Sequence, residues 1–415
     1  MFRQLITAVA LASIATGIRA QVYATGDSRP IFGAPMYPRI CRILGAQFST
    51  ADRVTPPASD DTARIQQALD ECAGRGMSVV LLPSRDGNAF YSGMLTVNGE
   101  GLVVASGVTL EGNDSYASQA ELIYVTGWHS FIGGQGAIDG RGDVITAGKP
   151  RIIEAKDTVG LTVYQITLEQ GAHPHLYIEG GSAALVYGMT ILTPYNRKNA
   201  DGIDVDSIHD VSVVDSSIQA GDDGVAIKTN SGPAYNITVR NNRLYGTHGL
   251  SIGSQTFEGV TNVLFKDNYV YGLDHSGNPS TDANAINIKT DQLCGGLVQR
   301  VTYANTCMTG VKHLIVVNAY YGSCSGTPGT PQFQNIVING VNAVNSQTGA
   351  YSRIEGYDTA DLAQIFLANV NVDATAQSGD QNAVVSLDNS NMTPSGPNVT
   401  IQTFSTGGSV PVCAF

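Results

Sequence analysis

Apolar and polar residues alternate through most of this chain, in short runs broken by Gly, Asn and Asp, and one stretch departs from that period of two. There Ile65, Ala68, Leu69 and Cys72 recur at helical spacing, Asp60, Asp61 and Thr62 offer capping oxygens at the start, and Gly74 ends the run. The pattern predicts one short helix near the N-terminus, then β structure to the end.

The β segments repeat. Segments 161–168, 185–191, 211–218, 237–244 and 263–270 align on Val163, Val186, Val213, Val239 and Phe265, which lie 23, 27, 26 and 26 residues apart, and 301–303 and 336–338 continue the series. A β pattern recurring every 20–50 residues or so marks a solenoid in which each repeat is one coil. Alternate residues then fill a central stack, and neighbouring coils pair as parallel strands about 4.8 Å apart. Asparagines after each anchor suit turns that tolerate left-handed backbone. The expected fold is all-β: a single-stranded right-handed parallel β-helix with a short N-terminal capping helix. One catalytic domain is expected over 21–415, with the cap at about 40–100. A β-sandwich or propeller is the competing architecture, but a period near 25 is short for a four-stranded blade.

A second set of segments lies between the anchors. Asp201-Gly-Ile-Asp-Val-Asp206, Asp223-Gly-Val-Ala-Ile-Lys228, His248-Gly-Leu-Ser-Ile-Gly253 and Asn284-Ala-Ile-Asn-Ile-Lys289 share one grammar at spacings of 22, 25 and 36, with an insertion at about 272–283 before the last. They predict one strand position on successive coils, with Ile203, Val225, Leu250 and Ile286 pointing inward and the alternate positions facing solvent. Asp201, Asp223 and His248 should then stack at the start of that strand, beside Asp222. Gly202, Gly224 and Gly249 should leave a bare floor that a flat ring could approach, and Lys228 and Lys289 should project from the same face. Crowded carboxylates repel, so one should hold its proton unusually tightly. One protonated acid beside ionised ones is the apparatus of glycoside hydrolysis. Stacked aspartates in solenoids also bind Ca²⁺ or end strands, and a glycine-flanked histidine can be purely structural.

Composition narrows the class. Of 415 residues 47 are glycine, 42% are hydrophobic and 14% are charged, and the net charge is −12. Such apolar content excludes disorder, and an acidic chain lacks the basic footprint that nucleic acid needs, so no nucleic-acid partner is expected. Nor is a membrane partner expected, because no apolar run reaches the roughly 18 residues of a span. Residues 1–20 read as a secretory signal peptide: Arg3, an uncharged apolar stretch from Leu5 to Ile18, then Ala20. The expected location is extracellular. In that setting Cys41, Cys72, Cys294, Cys307, Cys324 and Cys413 are disulfide candidates, with fifteen possible connectivities. Asn113, Asn236, Asn391 and Asn398 occupy N-x-Ser/Thr sequons.

Asn199-Ala-Asp201, Gly221-Asp-Asp223, Thr247-His-Gly249 and Asn287-Ile-Lys289 resemble, in order, the four motifs of glycoside hydrolase family 28, the polygalacturonase family of pectin-cleaving enzymes: Asn-Thr-Asp, Gly-Asp-Asp, Gly-His-Gly and Arg-Ile-Lys. The resemblance implies an inverting hydrolase acting on an acidic plant cell-wall polysaccharide, with no cofactor and no metal, as a monomer. Asp222 would be the general acid, Asp201 and Asp223 would activate water, and His248 would hold the acid's protonation or orientation. Asn199, Asn287, Lys289 and Tyr320 would contact substrate, and Cys41–Cys72 would bridge the N-terminal cap. Ala200, Thr247 and Asn287 depart from the pattern. The family's arginine, where Asn287 stands, pairs with a galacturonate carboxylate beside the cleavage point, and an amide does not reproduce a bidentate guanidinium pair. The substrate is therefore a polygalacturonan or a substituted galacturonan such as xylogalacturonan. A Ca²⁺-dependent pectate lyase and an inactive β-helical binding protein are the alternative readings.

Overall fold

The computed structural model describes residues 26–30, 33–57, 59–145, 148–324 and 328–415; the signal segment 1–20 lies outside the described residues. The helix runs Thr62–Cys72 and buries Ile65, Ala68, Leu69 and Cys72. Asp60 caps it by accepting from the Thr62 amide at 3.0 Å, while Asp61 turns to Arg64 and the Tyr91 amide. Cys72 is bonded to Cys41 on the strand Arg39–Gly45, which fastens the helix over the end of the coil.

Beyond the helix the described strands form a parallel β-helix. Val163, Val186, Val213, Val239, Phe265, Tyr303 and Ile338 pair one to the next in unbroken register, as the anchor spacing predicts. Their side chains form the inner stack, all fully buried, and the Phe265 and Tyr303 rings lie parallel at 4.4 Å. Asparagines hold the corners with positive φ, and at Asn236 (+57°) and Asn262 (+60°) the amides stack, Asn262 Nδ2 donating to Asn236 Oδ1 at 2.6 Å. That ladder satisfies side chains which left-handed turns would otherwise leave unpaired.

The strand carrying the motif residues belongs to a second sheet, ten strands long among the described residues, which follows chain order from Leu95–Asn98 to Tyr351–Glu355. The register of the motif segments holds: Ile203 pairs with Val225, Val225 with Leu250, and Leu250 with Ile286. The insertion forms a turn held by Asp274, whose carboxylate accepts from the amides of Ser276 and Asn278, and it delivers Ser280–Asp282 to the edge of the site. The remaining cysteines pair as Cys294–Cys324 and Cys307–Cys413. No described helix is long and apolar enough to cross a membrane.

Two local expectations fail. Several outward positions of this sheet are not at the solvent: Asp204, Ala226, Ser251, Asn287 and Lys289 are all buried. The glycines also serve the core rather than a ligand. A side chain at Gly202 would strike Ile218 and the Gly224 carbonyl, and one at Gly224 would meet Leu244. At Gly249, φ is +90° and a Cβ would come within 2.5 Å of the Asn284 and Ala285 carbonyls.

Candidate active site

Parallel register converts residues far apart in sequence into columns. One column at the strand entrance runs from Asp223 through His248 and Asn284 to His313 and Tyr351, with Asp201 one coil before Asp223. Asp222 sits at the bend before Asp223, and its carboxylate gathers three partners. It accepts from His248 Nδ1 at 2.9 Å, from the Asp223 amide at 2.9 Å and from the Asn199 amide at 3.2 Å. Asn199 makes that contact from left-handed backbone, φ +59°.

Two lysines balance the acids beneath. Lys228 Nζ lies 3.0 Å from both Asp201 and Asp204. Lys289 Nζ lies 3.1 and 2.9 Å from the two oxygens of Asp223, which also accepts from Ser251 Oγ at 2.7 Å. Asn287 Nδ2 donates to Ser251 Oγ at 3.3 Å and to the His248 carbonyl at 3.4 Å, so it stands directly behind the cluster.

The upward pKa shift falls where the sequence did not place it. Burial pushes the Asp204 carboxyl well above the carboxylate range, the negative charge of Asp201 adds to the push, and Lys228 only partly offsets them. Asp222 goes the other way: burial raises its carboxyl, but the His248 hydrogen bond and the charges of His248 and Lys289 together outweigh burial and the neighbouring Asp223 charge, leaving it below its ordinary value. His248 is correspondingly raised, since Asp222 and Asp223 overcome the burial that would lower it. The upward shift expected among the motif acids therefore falls on Asp204.

Asp201, Asp222, Asp223, His248, Asn199, Asn287 and Lys289 are thus gathered in one place. Tyr320 is not tied to them: its ring stacks on Tyr357 at 5.5 Å and its hydroxyl donates to the Tyr357 carbonyl. The next residue, Tyr321, lines the groove instead, with Lys289 Nζ 4.9 Å from its ring centre. Asp204, Ser251 and Tyr321 were missed from sequence; Asp204 and Ser251 sit inside the quoted motif segments at positions read as solvent-facing.

The groove divides at His248 and Asp282. On one side a hollow of about 340 Å³ is lined by Asn287, Lys289, His313, Tyr321 and Arg353; on the other, one of about 300 Å³ by Tyr195, Lys198, Asn199 and Asp222. Asp222, Asp223 and His248 offer ligand atoms within 4.8 Å of one another, a spacing that suits a cation. A cation there would compete with the Lys289 ammonium on both oxygens of Asp223, and with Asp222 for the His248 nitrogen.

A model of the glycosyl hydrolases family 28 matches residues 72–392. The chain belongs to that family. Relatives within glycosyl hydrolases family 28 include a polygalacturonase from Ralstonia solanacearum, 28% identical over 81% of this chain and 79% of its own. An endo-polygalacturonase from Pectobacterium carotovorum subsp. carotovorum is 29% identical over 83% and 89%. Among solved structures, the polygalacturonase from Erwinia carotovora ssp. carotovora superposes with a TM-score of 0.74 at 27% identity, covering 86% of this chain and 99% of that one. The chain is a family 28 glycosidase, an O-glycosyl hydrolase.

Proposed function

We propose that this enzyme is an extracellular hydrolase that cleaves α-1,4 galacturonosyl bonds of a pectic backbone with inversion. The observation that carries the reading is the Asp222–His248 hydrogen bond at 2.9 Å, set between the two hollows and beside the paired acids Asp201 and Asp223. An inverting glycosidase needs one carboxyl to protonate the leaving oxygen and another to activate water on the opposite face. Asp222 is the acid. Lowered by its bond to His248, it shares one proton with that imidazole, and transfer along the bond yields neutral imidazole and protonated carboxyl. Asp201 and Asp223, ion-paired with Lys228 and Lys289, activate the water.

Asn287 selects the polymer. In place of a guanidinium it offers a short neutral amide, which favours a backbone whose sugar there is substituted, as in xylogalacturonan, over bare galacturonate.

Incubation with polygalacturonate should release new reducing ends, insensitive to chelator, and NMR of the first product should show the β anomer. An unsaturated, ultraviolet-absorbing product abolished by chelator would mean elimination, and an α anomer would mean retention.

A further inference from the structure

A second outward column runs from Asp204 through Ala226, Ser251, Asn287 and Val316 to Arg353, one residue per coil. Its character changes along the groove: acid at one end, uncharged in the middle, a guanidinium at the far end. Arg353 stands two coils beyond Asn287, about 10 Å along the sheet at roughly 4.8 Å per strand. It lines the same hollow as His248, Asn287 and Lys289, and 30% of its side chain remains exposed.

The guanidinium is positioned but not consumed. Nε donates to the Ser378 carbonyl at 2.7 Å, and the group packs flat against Gly379. Glu355 reaches Nη1 only at 3.4 Å, its other oxygen being taken by Gln381 at 2.9 Å. Among the described residues Nη2 meets no acceptor within hydrogen-bond reach. Lys289, the other permanent cation lining this hollow, is held by both oxygens of Asp223. Arg353 is therefore the cation of this hollow with donors to spare among the described residues. A planar guanidinium edge fixed through Nε is suited to bidentate capture of a carboxylate.

We propose that Arg353 anchors a distal subsite for a uronic-acid carboxylate, so that the guanidinium absent at Asn287 is supplied two coils further along the groove. The proposal rests on the galacturonan reading above. It makes tight binding depend on chain length: a sugar at Arg353 is reached only by an oligomer that also fills the subsites between.

Calorimetric binding of hexagalacturonate, with both proteins carrying Asp222→Asn so that the hexamer is not cleaved, separates the two claims. Arg353→Gln should weaken binding of the hexamer by roughly 10-fold, the scale of one charge-assisted contact. Binding of the dimer, and of a carboxyl-reduced hexamer, should be the same in both proteins. Equal affinity of the two proteins for the acidic hexamer overturns the subsite, and an equal loss for the reduced hexamer shows a structural role only. If loss of the Ser378 contact unfolds Arg353→Gln, Arg353→Lys keeps the charge and should still weaken hexamer binding several-fold; unchanged affinity there overturns the bidentate clasp. Arg353-dependent binding without any hydrolysis of polygalacturonate by the chain that retains Asp222 would sink the catalytic reading and leave the subsite standing.

Discussion

Lys289 places its ammonium nitrogen 3.1 and 2.9 Å from the two oxygens of Asp223, across an intervening coil and with both side chains buried. In the coil between them Gly253 has backbone at φ +98°, and a side chain there would strike the Lys289 carbonyl. The acid proposed to activate water is thereby tied to the coil that forms the adjoining hollow. Burial of both charges is tolerable only because each has the other.

Removing Lys289 should therefore damage the fold as well as the rate. Lys289→Met leaves a buried carboxylate uncompensated and is expected to lower stability by about 3–5 kcal/mol in urea denaturation. The double variant Lys289→Met, Asp223→Asn should regain part of that loss. A single variant as stable as wild type would mean that Asp223 finds solvent or another partner.

Asp204 differs from Asp222 in that burial and the Asp201 charge push its carboxyl upward, towards the neutral form that an amide mimics. Asp204→Asn preserves both shape and that neutral form, so folding should be retained with a stability change within about 1 kcal/mol. Asp201→Asn, Asp222→Asn and Asp223→Asn should each lower kcat by roughly 10²-fold or more. If Asp204→Asn unfolds the protein, the carboxyl is ionised in the native state.

The Asp222–His248 pair sets a pH window. Asp222 is lowered, so its contribution to stability is present above its unfolded value of 3.8 and is lost as pH falls through its lower folded value. His248 is raised, so its contribution is present below 6.5 and is lost as pH rises through its higher folded value. Activity should fall on the alkaline side above pH 6.5 as the shared proton leaves, and His248→Asn should remove that limb along with most of the rate. An identical alkaline limb in the variant would assign the titration elsewhere.

Asn287 sits where a longer side chain would reach the hollow beyond Lys289. Asn287→Arg should raise kcat/KM on unsubstituted polygalacturonate by roughly 10-fold, from a carboxylate contact worth about 1.5–3 kcal/mol. On a xylose-bearing backbone it should give no gain. Equal kinetics for both proteins on both polymers would show that the position does not govern specificity.

The solenoid was legible because its coils repeat a period of two at nearly constant spacing, which fixes both face and register. Asp201, Asp222, Asp223, His248 and Lys289 were legible for the same reason, together with their motif order. Other features were hidden by physics that a linear pattern does not carry. Asp204 is buried at an outward position, with the Lys228 ammonium of the next coil against it. Tyr320 and Tyr321 are adjacent, and a register irregularity between Lys289 and Asp291 and their partners in His313–Gly322 decides which of them meets the groove. Arg353 is obscured by a second irregularity: pairing shifts between His313 and Val316, and one extra residue moves a side chain to the other face. No count from the motifs alone places it in the column of Asn287.

Because every coil contributes one side chain to each column, recognition along this groove is modular. Each added sugar meets groups from a different rung, and rungs touch only their immediate neighbours. Gain or loss of one whole coil would lengthen or shorten the binding track by about 4.8 Å while leaving the alignment of Asp201, Asp223 and His248 intact. Polymer reach can thus diverge between descendants of such a chain by changes in coil number, without any alteration to the chemistry at its centre.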